Sequence, residues 1–194
     1  MAHIEIDATE FENIKDAMIL FPQTARSAMS ATLNRATDKM VTWIHEEVTN
    51  EYAVKRVGIK KTLDIEKSTV RKLEAVVTST DRRIKLSGFP FKASGKMRIA
   101  KVKVKQGGFV KSKSNPPLFV GKANKTTGKR EVFIRTPGES HDLSFGFTLS
   151  IPQMIANDEV YDKIALKTSY FIQEEFEREL HYRLNRVAQK EGLI

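Results

Sequence analysis

Residues 24–51, TARSAMSATLNRATDKMVTWIHEEVTNE, decide the fold because they carry one long amphipathic pattern. The apolar side chains recur at intervals of three and four residues, which predicts a helix with one apolar stripe. The stripe consists of Met29, Leu33, Ala36, Met40, Trp43, Ile44 and Val48. Such a helix is roughly 40 Å long, so its stripe needs a partner surface in the same domain or in another subunit.

A second long helix is predicted near the end of the chain, over about residues 155–190, by the same periodicity. Its stripe consists of Val160, Ile164, Phe171, Ile172, Phe176, Leu180, Leu184 and Val187. A short helix is also predicted within residues 1–22, ahead of the interruption at Pro22. The side chains that we select as a packing or oligomer face of the long helices are Leu33, Met40, Trp43, Ile44, Phe171, Phe176 and Leu180.

The apolar period changes to two in the middle of the chain, over residues 70–153. In RIAKVKVK (98–105), for example, Ala100, Val102 and Val104 alternate with lysines, which is typical of a strand. Further strands are predicted at KLEAVVTST, FVKS, PLFVG and EVFIR, separated by exposed loops rich in Lys, Ser, Asn and Gly. A short second helix is expected in VGIKKTLDI (57–65), whereas a helix–turn–helix is disfavoured because the preceding helix is too long.

Helices at both ends and strands between them indicate an α+β fold rather than alternating α/β. We expect one domain over residues 1–194, with long N-terminal and C-terminal amphipathic helices packed on a central antiparallel β-sheet with extended Lys-rich loops. No apolar run approaches the roughly 20 residues of a membrane span. The acidic start of the chain also lacks the layout of a signal peptide, so we expect a protein made in the cytoplasm.

Few residues in the chain suggest catalysis. There is no cysteine, which excludes a disulfide framework, a thiolate metal site and a cysteine nucleophile. The four histidines lack metal-ligand spacing, and neighbours such as His141 and Asp142 rarely orient each other as a general-base pair. No phosphate-binding glycine loop or nucleophile elbow is found. We therefore expect no enzyme, no metal and no cofactor.

The net charge of +9 is unevenly distributed along the chain. Residues 51–135 contain 23 Lys and Arg but only 6 Asp and Glu, whereas the two ends are acidic. Lys predominates over Arg in this middle segment, which disfavours base-specific readout. Non-specific contact with phosphates and a solvated strand face that discourages wrong edge pairing both remain open. The phenylalanines of the segment are interpreted as core residues: Phe89, Phe91, Phe109, Phe119 and Phe133.

Nine basic side chains of this segment are candidates for contact with DNA in a channel or with an adjacent subunit. They are Lys101, Lys103, Lys105, Lys111, Lys113, Lys122, Lys125, Lys129 and Arg130. Acidic ends and a basic middle also suit a head-to-tail assembly, in which the end of one subunit meets the middle of the next.

Several segments in order resemble the minor tail protein Z family of tailed bacteriophages and prophages. They are ATLNRATDKMVTWIHEEVTNEYAVKRVGIKKTLDI (31–65), KLEAVVTSTDRRIKLSGF (72–89), KVKVKQGG (101–108) and LSIPQMIANDEV (149–160). The resemblance extends over roughly residues 25–185. The chain departs from the family pattern at residues 136–148, where a Phe-rich loop stands in place of a short strand.

The resemblance implies a structural virion protein that completes the head-proximal end of a siphophage tail and helps to join the tail to the head. It further implies a ring around the DNA channel, expected to be six-fold. The implied partners are other copies of the chain, the tail tube and tail terminator proteins, the head-completion (stopper) protein and the genomic DNA in the channel. The implied location is the tail or neck of the virion, after assembly in the host cytoplasm. The alternative interpretation is a non-specific nucleic-acid-binding protein that uses the basic middle segment.

Overall fold

The computed structural model describes residues 2–7, 12–122, 128–135 and 142–191. Within these ranges the chain is an α+β protein, as predicted, with long helices near both ends and strands between them. The helices are α1 Glu12–Leu20, α2 Pro22–Glu51, α3 Arg56–Lys60, α4 Ile151–Ile155 and α5 Asp158–Lys190. The strands are β1 Ala2–Asp7, β2 Leu63–Glu66, β3 Glu74–Ser79, β4 Phe91–Ser94, β5 Ile99–Val102, β6 Val110–Lys111, β7 Phe119–Lys122, β8 Arg130–Arg135 and β9 Leu143–Phe145.

The helices α2 and α5 pack against each other in antiparallel orientation. Pro22 lies in the first turn of α2, where its missing N–H costs nothing, and the helix ends where Tyr52 becomes extended. The C-terminal helix predicted over about residues 155–190 is confirmed as α5, which begins after the extended residue Asn157. The short helix α4 precedes it, at residues that were expected to end the β-rich middle. No helix among the described residues has both the length and the apolarity needed to cross a membrane.

The predicted apolar stripes meet in the interface between α2 and α5. Leu33, Met40, Ile44 and Phe176 are at most 1% exposed. The partly buried rings of Trp43 and Phe171 make an edge-to-face contact at 5.8 Å between centroids, and Leu180 also packs against this core. The chain therefore covers these stripes with its own helices.

Ion pairs accompany the apolar contact between the two helices. Glu47, Glu175 and Glu179 are buried. Arg35 on α2 donates hydrogen bonds to Glu175 and Glu179 on α5, and the ammonium of Lys167 on α5 lies 2.6 Å from the Glu47 carboxylate on α2. Burial raises the pKa of Glu175, but hydrogen bonds from Arg178 and Arg35 outweigh it and hold that pKa below its ordinary value. The buried carboxylates therefore fix the register of the helix pair.

The first sheet has three antiparallel strands in the order β1-β3-β2, and β3 packs against α2. Strand β1 was not predicted, because residues 1–22 were assigned only a short helix. It pairs along its whole length with β3, where Ile4 lies opposite Val77. The predicted helix in VGIKKTLDI was wrong in its second half, since α3 ends at Lys60 and β2 follows. The strand β1 has only six residues, and its partner β3 lies some seventy residues further along the chain, so its local signal is too weak to be recognised.

The second sheet has the antiparallel order β4-β5-β7-β8-β9, and β6 pairs with β5. Its core face carries the buried Ala100, Val102, Val120 and Val132, so the alternation predicted for RIAKVKVK is confirmed within β5, which ends at Val102. Backbone hydrogen bonds attach this sheet to the end of α2. The Ala53 N–H donates to the Val104 carbonyl at 2.8 Å, and the Gln106 N–H donates to the Glu51 carbonyl at 2.9 Å. The described residues therefore form two sheets rather than the single central sheet that was predicted.

Replacing Arg35 with Met is expected to lower the free energy of unfolding by about 1.5–3 kcal/mol at pH 7, because two buried carboxylates lose a charged donor. Urea denaturation measures this loss. Because the pKa of folded Glu175 is depressed, the stabilisation is present above the unfolded pKa and disappears as the pH falls through the folded one. The difference in free energy of unfolding between the wild type and the variant should therefore shrink below about pH 4.

Lys39→Met is the matched control for this prediction, since Lys39 is an exposed cation on the same helix. It should leave the free energy of unfolding within about 0.5 kcal/mol of the wild-type value. Equal effects of the two substitutions would show that the ion pairs between α2 and α5 do not stabilise the fold.

Candidate basic interface

Three lysines lie side by side on the outer face of the second sheet. Lys101 on β5 is directly opposite Lys92 on β4 and also opposite Lys111 on β6. Residues paired in this way project from the same face and approach each other closely. Among the described residues, no carboxylate lies within ion-pair distance of these three ammonium groups. We call Lys92, Lys101 and Lys111 the lysine row.

Like charges placed directly opposite in a sheet destabilise it. Repulsion within the lysine row therefore destabilises the isolated chain. An anionic partner would remove this repulsion. Part of the cost is offset at Lys92, whose ammonium lies 4.3 Å from the centre of the Phe109 ring, a distance suitable for a cation–π contact. Lys101 and Lys111 have no such ring contact among the described residues.

An apolar groove lies beside the lysine row on the same face of the sheet. Ile99 is two residues before Lys101 on β5, and Phe119 on β7 lies opposite Ile99. The groove has a volume of about 450 Å³. Its lining is Met97, Ile99, Pro116, Pro117, Phe119 and Arg135, a set that we call the sheet groove. Met97, at one side of the groove, is 74% exposed.

An aromatic row extends from the sheet groove across three strands. The rings of Phe133 and Phe145 are stacked at 5.4 Å between centroids, and the ring of Phe119 lies 6.0 Å from that of Phe133 with the planes tilted by 32°. Gly121 lies beneath this row, and a Cβ atom there would lie 3.1 Å from the Phe133 ring, which would have to move aside. The ammonium of Lys85 lies 3.5 Å from the centre of the Phe145 ring.

This arrangement corrects the interpretation of all five phenylalanines as core residues. Phe89 and Phe133 are buried and Phe91 packs against the core, but Phe109 is 42% exposed and Phe119 is partly exposed. The sequence could not separate the two faces here, because apolar residues line both sides of β7 and β8 and the alternation disappears.

The nine predicted basic residues do not form one surface. Of them, Lys101 and Lys111 lie in the lysine row, and Lys103 and Lys113 follow β5 and β6 with partly exposed and exposed side chains. Lys92, the third member of the row, was missed because its alignment with Lys101 depends on the pairing of β4 with β5. Lys125 lies outside the described residues.

Lys105 has a structural contact instead. Its ammonium lies 2.6 Å from the Glu51 carboxylate at the end of α2, and this hydrogen bond raises the pKa of Lys105 above its ordinary value. Lys105 therefore helps to attach the second sheet to α2. The alternation in the sequence placed it with Lys101 and Lys103, but the strand β5 ends at Val102.

The remaining candidates lie at the other end of the second sheet. Lys122 is opposite Arg130, on the side of β7 that carries the buried Val120. Lys129 lies 3.1 Å from the buried carboxylate of Glu131. A hydrogen bond from Ser87, reinforced by Lys129, holds the pKa of Glu131 below its ordinary value.

A second basic cluster, which the charge pattern did not indicate, lies between the start of α2 and the end of α5. Arg183, Arg186 and Lys190 line a cleft of about 390 Å³ together with polar residues of α2. Arg183 donates a hydrogen bond to the Ser27 hydroxyl at 2.9 Å and also pairs with Glu179. No signal in the sequence indicated this cluster, because the C-terminal segment as a whole is acidic.

No arrangement typical of a metal site occurs in the part of the chain that the structure describes, since no three His, Asp or Glu side chains are grouped suitably. His45 is partly buried, and desolvation, with Arg56 and Lys60 nearby, lowers its pKa. Comparison of the chain with protein-family models, with curated proteins and with solved structures gave no significant match.

Replacing Lys101 with Gln is expected to raise the free energy of unfolding of the isolated chain by about 0.2–1 kcal/mol, because the central charge of the lysine row is removed. Denaturation in urea at low and high NaCl measures the effect. Salt screens the repulsion, so wild type should gain more stability from salt than the variant does. Lys96→Gln, in the exposed turn between β4 and β5, is the control. A Lys101 variant that is less stable than this control would contradict the assignment of the row as repulsive.

Proposed function

We propose that this chain is a structural virion protein of a tailed phage, which completes the head-proximal end of the tail and helps to join the tail to the head. The observation that carries the proposal is the lysine row next to the sheet groove, because this surface combines unpaired positive charge with exposed apolar side chains. The segments that resemble the minor tail protein Z family, and that follow one another in the family's order, are the reason for proposing a phage tail as the assembly.

The lysine row and the sheet groove suit a contact with another protein. An acidic partner would relieve the repulsion between the lysines, and its apolar side chains would remove Met97 and its neighbours from water. Exposed apolar patches bordered by charge are typical of such contacts. In the proposed role the partners are further copies of the chain in a ring, expected to be six-fold, the tail tube and terminator proteins, and the stopper protein of the head.

The proposed role requires no catalytic residue, cofactor or membrane. The protein would be made in the host cytoplasm and reside in the tail or neck of the virion. Genomic DNA would pass through the ring, and exposed lysines such as Lys113 would contact its phosphates without reading its sequence.

Non-specific nucleic-acid binding by the free chain is the second candidate function. Two exposed basic clusters favour it, namely the lysine row and the cleft lined by Arg183, Arg186 and Lys190. The predominance of lysine in the middle segment would give affinity without sequence preference.

Purified protein is expected to cosediment with isolated phage tail tubes. Changing the lysine row to glutamate, as Lys92→Glu, Lys101→Glu and Lys111→Glu together, should abolish this association, because an acidic partner would then be repelled. The matched control carries the same change at the exposed Lys39, Lys61 and Lys96. Wild-type protein that remains monomeric and fails to sediment with tail tubes would contradict the proposed function.

Titration with duplex DNA at several salt concentrations separates the two candidate functions. For the second function, log K should fall linearly with log salt, with a slope near −0.9 for each phosphate contacted. Changing Arg186 and Lys190 to Gln shows whether the cleft contributes to that slope. Salt-sensitive binding in the micromolar range that is lost in the lysine-row variant would favour the alternative, since in the proposed tail protein the lysine row contacts another protein.

A further inference from the structure

The exposed side of α5 carries a stripe in which acidic residues are followed by apolar ones. Asp158, Asp162, Leu166 and Tyr170 recur at intervals of four residues, so they lie along one ridge of the helix. Leu166 is 57% and Tyr170 65% exposed. Neither aspartate has an ion-pair partner among the described residues. We call these four residues the α5 stripe.

The α5 stripe and the outer face of the second sheet are complementary in charge and in the order of their features. The stripe has carboxylates at one end and apolar side chains at the other, whereas the sheet has the lysine row and then the sheet groove. On α5, Asp162 and Leu166 are separated by about 6 Å along the axis. On β5, Lys101 and Ile99 are separated by about 6.7 Å along the strand. The distance from a charged to an apolar side chain is therefore similar on the two surfaces, and the lysine row itself runs across the strands, at right angles to this direction.

We propose that the lysine row and the sheet groove of one copy of this chain receive the α5 stripe of a second copy. In this contact Asp158 and Asp162 pair with the lysine row, while Leu166 and Tyr170 enter the sheet groove. The proposal rests on the proposed function, since it specifies how copies of the chain contact each other in the ring.

The apolar part of both surfaces distinguishes this partner from nucleic acid. A phosphate backbone would neutralise the lysine row but would leave Met97 in the groove exposed to water. The α5 stripe satisfies both parts of the surface and leaves fewer apolar side chains exposed on either copy. Because the two surfaces differ, the contact is head-to-tail, and repetition of such a contact closes into a ring when the rotation between neighbours allows it.

Charge exchange between the two surfaces tests the contact by light scattering. One variant carries Lys101→Glu and Lys111→Glu, and the other carries Asp158→Lys and Asp162→Lys. Each variant alone places like charges opposite each other, so its dissociation constant should rise about tenfold or more. An equimolar mixture should regain assembly, because each reversed surface then meets its complement on the other variant.

Thiol cross-linking gives a second measurement, because the chain has no cysteine. A chain with both Lys101→Cys and Asp162→Cys should give a ladder of covalent multimers with a short bismaleimide reagent. Each single variant alone should give no dimer, and a mixture of the two should give dimers only. Lys101→Cys combined with Glu66→Cys, on the exposed side of β2, is the control and should give no ladder.

The outcomes separate this contact from the proposed function. Restored assembly in the mixture, together with the ladder, supports the contact. Suppose that the wild type and both charge-reversed variants all assemble and that no ladder forms. This result overturns the contact between the lysine row and the α5 stripe but not the ring. Wild-type protein that stays monomeric at every concentration and gives no ladder overturns both.

Discussion

The antiparallel packing of α2 against α5 is the contact on which the rest of the structure depends. It buries the apolar stripes of both helices and three glutamates, whose charges are balanced by Arg35, Lys167 and their neighbours. Removing one partner of such a buried pair costs far more than the pair contributes, so the pairs specify the register of the helices. The first sheet packs on α2, and the second sheet is attached at its C-terminal end through Lys105 and Gln106.

The apolar stripes of α2 and α5 are covered within the chain, so the exposed features lie on other surfaces. The outer face of the second sheet keeps a row of repelling lysines and an apolar groove, and the exposed ridge of α5 keeps aspartates next to Leu166 and Tyr170. The repulsion between the lysines of the lysine row destabilises the isolated chain. An anionic partner that contacts the row would relieve this repulsion. Attachment through Glu51 and Lys105 keeps this face in a fixed position at the end of α2.

Local periodicity was sufficient to predict α2, α5 and the alternation of β5, because each pattern is expressed within a few consecutive turns or residues. It was insufficient for β1, whose partner β3 is distant along the chain, and for β2, where apolar residues suit either a helix or a strand. The candidate site was predicted only in part. The lysine row depends on the pairing of β4 and β6 with β5, so Lys92 gave no signal of its own, and the ion pair of Lys105 depends on the position of α2. Phe119 was predicted to be a core residue, although it is partly exposed, because apolar side chains occupy both faces of β7 and β8.

Native mass spectrometry of the purified chain tests the claim of a ring-forming structural protein most directly. The account predicts a closed oligomer whose mass is a fixed multiple of 22.0 kDa, expected to be six-fold, without a continuous distribution of larger species. High salt should shift this oligomer towards the monomer, since the proposed contact includes exposed charges. A single species at the mass of one chain, at every protein and salt concentration, would contradict the account.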